Sequence, residues 1–271
     1  MLAFVTTLAT SATTSPTTVE IAPGVVMPLV NLGTWSLGNG KPSDPSVGVP
    51  PWIAAGGVGI DCAWDYFNQN KVKAAVASAG VPRSSLFYTT KVPGVLPSLS
   101  TVRTDLKQLG LTKVDLVLLH APLDIKAQWA GLEQALAQNL TRAIGVSNFN
   151  SEQIEDLLAY ANVIPAVNQC SMGVASHDDA TIATCKKHNI TYEAYGAMKG
   201  CNFTSPIITG IGANHNKTSA QVCLRYVLDR GCALAVGTGT SADDAKAYAK
   251  EDLSIFDFKL SASELAQLNA L

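Results

Sequence analysis

Val114-Asp-Leu-Val-Leu-Leu-His120 is the stretch that decides how this chain folds. Its apolar residues run on almost without alternation, as in a strand buried on both faces. Residues 98–109 before it place Leu99, Val102, Leu106 and Leu109 at helical spacing behind a serine cap. Residues 125–138 after it form a second helical pattern, with Trp129, Leu132 and Leu136. A strand between two helices implies parallel pairing. The same unit recurs in both directions. Strands are expected at 29–34, 58–60, 86–90, 143–146, 164–167, 190–195 and 233–236. Helices are expected at 68–79, 151–160, 178–187, 219–228, 242–249 and 261–271, the last opened by a capping box of Ser261 and Glu264. Eight such strands in 271 residues predict an α/β protein, a closed (β/α)8 TIM barrel. The competing doubly wound sheet usually carries a G-x-G-x-x-G turn, and none follows a strand here. Ahead of the barrel, Thr18-Val-Glu-Ile21 and Val25-Val-Met27 flank Ala22-Pro-Gly24, which predicts a β-hairpin. Residues 38–51, rich in Gly, Pro and Ser, read as a long loop. Residues 1–17 are expected to be a flexible tail, and 18–271 a single barrel domain.

Composition narrows the function classes. With 47% apolar and 15% charged residues, a large buried core is affordable. A net charge of −2 without a Lys/Arg cluster argues against a nucleic-acid surface. No apolar run approaches the roughly 18 residues of a membrane span. The six cysteines form no CxxC and no zinc-like spacing. They read as reduced, buried hydrophobes in a protein without metal. A cytoplasmic location is expected, or an organellar or secreted one if residues 1–17 are a targeting remnant. Four N-x-T sequons, at Asn139, Asn189, Asn202 and Asn216, weigh little alone in a chain this rich in Asn, Thr and Ser. Short loops and low charge suit a monomer.

Three polar residues end apolar runs in succession: Asp61, Lys91 and His120. Tyr66 follows Asp61 by five positions. Taken singly they are an ordinary cap, a solvated rim charge, a core histidine and a packed aromatic. Placed together at the C-terminal rim of a barrel, where barrel enzymes do their chemistry, they form a proton-transfer site. Lys91 is expected to lower the phenol pKa of Tyr66, with Asp61 orienting the lysine. Tyr66 then serves as general acid, and His120 donates a second hydrogen bond to the same substrate oxygen. No nucleophile is paired with a base, which disfavours acyl transfer.

Several segments carrying these residues resemble the aldo-keto reductase family along most of the chain. They are Asn31-Leu-Gly-Thr-Trp35, Gly59-Ile-Asp-Cys-Ala-Trp-Asp-Tyr66, Thr89-Thr-Lys91, the run to His120, Arg142-Ala-Ile-Gly-Val-Ser-Asn-Phe149, Val167-Asn-Gln169, Glu193-Ala-Tyr195, Ser219-Ala-Gln-Val-Cys-Leu-Arg-Tyr226 and Phe256-Asp-Phe-Lys-Leu260. The resemblance implies that Asp61, Tyr66, Lys91 and His120 are the catalytic tetrad and that the hairpin closes the barrel floor. It implies NADPH, with NADH the other candidate, lying across the rim and passing hydride to a small aldehyde or ketone. Ser147, Asn148 and Gln169 match the residues that hold the carboxamide, and Tyr195 the aromatic that stacks on the nicotinamide. Trp35, Trp64 and His120 would line the substrate pocket. The chain departs from the family at Thr238, where a lysine usually grips the adenosine 2′-phosphate; Lys246 or Arg225 could compensate. Ala121 replaces a tryptophan common in relatives, the substrate loops are short, and Gly196 and Met198 replace Ser and Leu beside the diphosphate. These departures motivate an alternative: a dinucleotide-binding barrel with little turnover, acting as a redox sensor or assembly subunit.

Overall fold

A computed structural model describes residues 17–35, 44–237, 239 and 241–271. The first two strands, β1 (Thr18–Ala22) and β2 (Val25–Pro28), form the antiparallel hairpin about Pro23-Gly24. Gly24 has φ +71°, a turn position that glycine occupies without steric cost. The barrel strands are β3 (Val30–Gly33), β4 (Gly59–Asp61), β5 (Phe87–Val92), β6 (Val114–Leu119), β7 (Thr141–Ser147), β8 (Val167–Ser171), β9 (Thr191–Tyr195) and β10 (Ala233–Gly237). All eight pair in parallel, and β10 closes onto β3. The expected TIM barrel is therefore the observed fold.

The helices follow the alternation: α1 (Pro45–Ala54), α2 (Gln69–Ala79), α3 (Ser98–Leu109), α4 (Ile125–Ala137), α5 (Ser151–Leu158), α6 (Asp179–Lys187), α7 (Pro206–His215), α8 (Ser219–Asp229), α9 (Ala242–Leu253) and α10 (Ala262–Asn269). Strand and helix faces meet in one continuous core that includes Trp52, Trp129, Leu132 and Tyr226. A second apolar cluster closes the floor. Ile21, Val25 and Met27 of the hairpin pack against Phe87, Leu116, Leu118, Ala143, Val167 and Ala233. Arg142 ties the hairpin down by donating to the Gly24 carbonyl at 2.7 Å.

Three expectations need correction. Residues 45–54 are a helix, not the end of a loop, although Pro50 and Pro51 lie inside it. Pro45 suits a first turn, Asp44 caps it, and burial of Val49 and Trp52 offsets the hydrogen bonds the inner prolines cannot make. Strand β8 begins at Val167; Ile164 stays exposed in the connection before it. The cysteines are not all reduced: Cys201, in the loop after β9, is disulfide-bonded to Cys223 on α8. No spacing rule could pair them, because packing of that loop on the helix brings them together.

Candidate active site

The rim of the barrel gathers the polar residues. Asp61 is the last residue of β4, Lys91 the penultimate residue of β5, and His120 directly follows β6. Tyr66 closes a short 3₁₀ turn, Trp64–Tyr66, that folds back over the rim. Lys91 is 1% exposed. Its Nζ donates to Asp61 Oδ1 and, at 3.2 Å, to the Tyr66 hydroxyl. Burial opposes the ammonium charge, but Asp61 and Tyr66 hold Lys91 above the ordinary lysine range. His120 Nδ1 lies 3.0 Å from Asp65 Oδ1, and the Tyr66 and His120 rings meet edge-on with centroids 5.7 Å apart. That contact leaves Nε2 as the other hydrogen-bonding atom of the ring. Asp65 has no place in the sequence expectation; it is legible only once the turn brings it to His120. The Asp65 carboxyl is held below its usual range: burial raises it, and His120, its own backbone N–H and Lys91 together more than offset that.

One electrostatic expectation reverses. Lys91 does act to lower the Tyr66 pKa, but burial outweighs it and pushes the phenol up to about 12. The hydroxyl is thus fully protonated at neutral pH.

Beneath the rim lies a second layer. Gln169 Nε2 donates to Asp61 Oδ2 at 2.8 Å and to Glu193 Oε2 at 2.7 Å. Asn31 donates to Glu193 Oε1 at 2.8 Å. A Cβ on Gly59 would collide with Asn31, so the glycine is what admits this side chain. Burial, then the nearby Asp61 charge, pushes Glu193 up to about 7.

A cavity of about 540 Å³ opens over these groups. Trp35, Asp61, Asp65, Tyr66 and His120 form one wall; Ser147, Asn148, Gln169, Tyr195 and Lys199 form the other. The second wall is pre-set by hydrogen bonds. Ser147 Oγ donates to the Gln169 carbonyl at 2.8 Å, Asn148 Nδ2 to the His120 carbonyl at 2.9 Å, and the Tyr195 hydroxyl to Asn148 Oδ1 at 2.7 Å. Trp35 reaches the cavity, its ring 4.9 Å from that of Tyr66. Trp64 does not line it; the 3₁₀ turn points its ring at Phe67, 5.6 Å away. Lys199, unremarked in the sequence, is the one Lys or Arg among the described residues lining this cavity.

A neighbouring cavity of about 380 Å³ shares Gly196, Ala235, Val236 and Gly237 with the first. Met198, Phe203, Leu224, Tyr248, Asp244, Glu251 and Asp252 line the rest. Thr238 lies outside the described residues. Arg225 is no substitute for a cation there: it is buried, with two hydrogen bonds to Asp229 and one to the Ile255 carbonyl. Lys246 does not line the cavity. The two cavities together make a cleft suited to an extended, two-headed ligand. The pre-set polar atoms and Tyr195 at the rim fit a nicotinamide head, whose amide could donate to their oxygens.

The aldo/keto reductase family model matches residues 29–271. An aldo-keto reductase of Mycolicibacterium vanbaalenii is 32% identical, covering 97% of this chain and 94% of that protein. A glyoxal reductase of Bacillus subtilis is 34% identical over 94% of this chain and 92% of its own length. Among solved structures, an aldo-keto reductase of Bombyx mori in complex with NADP superposes with a TM-score of 0.85 at 28% identity, covering 96% of this chain and 93% of that one. No helix among the described residues is long and apolar enough to cross a membrane. With the family model spanning nearly the whole barrel, the chain belongs to the aldo/keto reductase family, oxidoreductases that act on carbonyl compounds.

Proposed function

We propose that this protein reduces a small aldehyde or ketone to the alcohol with NADPH, and that Tyr66 delivers the proton. The single observation that carries the reading is the Tyr66 hydroxyl at the cavity wall, backed at 3.2 Å by a lysine that is itself buried against Asp61. When bound, the dinucleotide supplies a hydride to the carbonyl carbon. Ser147, Asn148 and Gln169 would hold its carboxamide and Tyr195 would pack on the ring, with the Lys199 ammonium in the same cavity, 5.8 Å from the Tyr195 ring centroid. Tyr66 holds its proton until charge develops on the substrate oxygen. An alkoxide is far more basic than a phenolate, so transfer is downhill even from a phenol at about 12. Lys91 stabilises the phenolate left behind, and Asp61 keeps that ammonium in place. His120, oriented by Asp65, offers Nε2 to the substrate oxygen. Trp35 supplies an apolar wall.

The choice of NADPH follows the silkworm relative solved with NADP. Every group named comes from one barrel, so the reading needs only a monomer. The sensor alternative gains no support, since a binding module has no use for a backed phenol. Tyr66→Phe tests the proposal: carbonyl-dependent NADPH oxidation falls about a hundred- to ten-thousand-fold while NADPH still binds. Undiminished turnover would overturn the role of Tyr66. Parallel fluorescence titrations with NADPH and NADH test the cofactor; tighter NADH binding would overturn that choice alone.

A further inference from the structure

The four N-x-T triplets take on new weight once placed on the barrel. Asn139, Asn189, Asn202 and Asn216 are all exposed, whereas the buried asparagines Asn31, Asn68 and Asn168 head no triplet. Asn139 and Asn189 stand in the turns leading into β7 and β9, at the floor and opposite the cleft. Asn216 ends α7, and Asn202 lies in the loop beside Cys201. Left-handed backbone at 139, 189 and 216 explains a preference for asparagine there. It does not by itself call for a threonine two residues further on. Thr218 caps α8, Thr141 is buried with its hydroxyl donating to the Ala143 carbonyl at 2.8 Å, and Thr204 turns back onto Asn202; the side chain of Thr191 has no such bond. Asn202 Oδ1 accepts from the Thr204 amide and hydroxyl at 3.1 and 2.9 Å, and Asn139 Oδ1 accepts from Lys113, so the bonds engage oxygen rather than Nδ2.

The cysteines supply an independent observation. Cys201 and Cys223 are joined, and no free thiol is exposed: Cys62, Cys185 and Cys232 are buried and Cys170 is half-buried. Burial pushes Cys170 and Cys232 up to about 12 and Cys185 up to about 11, which keeps them protonated and unreactive. The disulfide is what suits an oxidising compartment, where such bonds persist, and the buried thiols are compatible with it.

We propose that Asn139, Asn189, Asn202 and Asn216 are N-glycosylation acceptors, and that the chain matures in an oxidising, glycosylating compartment. This takes the exported branch of the localisation expectation. In the transfer, the bond between the anomeric carbon of a lipid-pyrophosphate-linked oligosaccharide and its phosphate oxygen breaks. A new bond forms from that carbon to asparagine Nδ2, which loses a proton, and the lipid pyrophosphate leaves. With two acceptors on the floor, glycans there leave the rim open.

The test uses the full chain purified from its native cells. It is alkylated without reduction, digested, and treated with a peptide N-glycosidase in heavy-oxygen water. Labelled aspartate at the four positions, with Cys201 and Cys223 in one cross-linked peptide, is expected. Unlabelled asparagine at all four would overturn the acceptor assignment, and alkylated Cys201 and Cys223 would overturn the compartment. In a secreting eukaryotic host, Asn189→Gln should remove one step of electrophoretic mobility and leave kcat/KM unchanged. An unaltered mobility would count against that site.

Discussion

At the rim, Lys91 and Asp61 are buried against each other; in the neighbouring cavity Asp252 is buried with no Lys or Arg among the described residues lining the wall. The consequences differ in kind. A buried ammonium with a carboxylate in contact stays ionised, whereas a carboxyl buried without a cation surrenders its charge. Burial, with Glu251 adding to it, pushes Asp252 up to about 8, so that end of the cleft presents a neutral acid at neutral pH. The other carboxylates there are occupied: Asp244 accepts from Ser241 at 2.7 Å, and Glu251 from Thr218. The proton-handling half of the cleft is thus held by charge, and the other half by shape and backbone. A common fold hosts both because each strand end and helix start can be furnished separately.

The sharpest way to break this contrast is Lys91→Met. Removing the ammonium leaves Asp61 buried without its cation, at a cost of about 3–5 kcal/mol. Urea unfolding should show a lower midpoint, with reductase activity lost as well. An unchanged midpoint would mean the pair is not the keystone of the rim. Asp65→Asn is gentler. It removes the carboxylate charge beside His120, and kcat/KM should fall about tenfold, about 1.4 kcal/mol, with dinucleotide affinity unchanged.

The other cavity answers to pH. Below about 8 Asp252 is neutral; above it the wall gains a negative charge facing a phosphate-bearing ligand. Dinucleotide affinity should therefore weaken as pH rises through about 8, and Asp252→Asn should flatten the profile. Titrations on either side of that pH decide it.

The smallest effect expected concerns stability. Burial pushes Asp105 up to about 7, although the Thr90 hydroxyl donates to it at 2.8 Å. Unfolded, the same carboxyl titrates near 3.9. Between those values the folded chain binds the extra proton, so stability falls as pH rises through that window and is greatest below it. Glu193 and Asp252 push in the same direction. Asp105→Asn should reduce the decline in Tm between about pH 5 and 8; an unaltered slope would assign it to the other two.

Much of the fold is legible in local pattern. The run to His120 becomes β6 at the expected bounds, and the Leu99-Val102-Leu106-Leu109 stripe becomes α3. Continuous apolar strands and striped helices announce themselves because burial acts on every turn of them. Helix α7 is absent from that reading for the opposite reason. Its sequence holds two glycines and three isoleucines, poor helix formers, and burial of Ile208 and Ile211 makes the helix. Helix α1, with its inner prolines, is likewise a product of packing: Trp52 Nε1 donates to the Gly59 carbonyl at 2.9 Å.

The site divides the same way. Asp61, Lys91 and His120 are visible because a polar residue at the end of an apolar run is conspicuous. Asp65, Glu193 and Lys199 are not, since nothing in their spacing says what they will meet. The sign of the Tyr66 shift was also beyond reach, because spacing reports a neighbouring charge but not the depth of burial opposing it. The sequence by itself determined the alternation, and through it the barrel and the rim address of its polar residues, because strand and helix periodicities are local properties. Only the tertiary structure decided which charges are paired, which cysteines are joined and which asparagines face water, because those depend on distances between residues far apart in the chain.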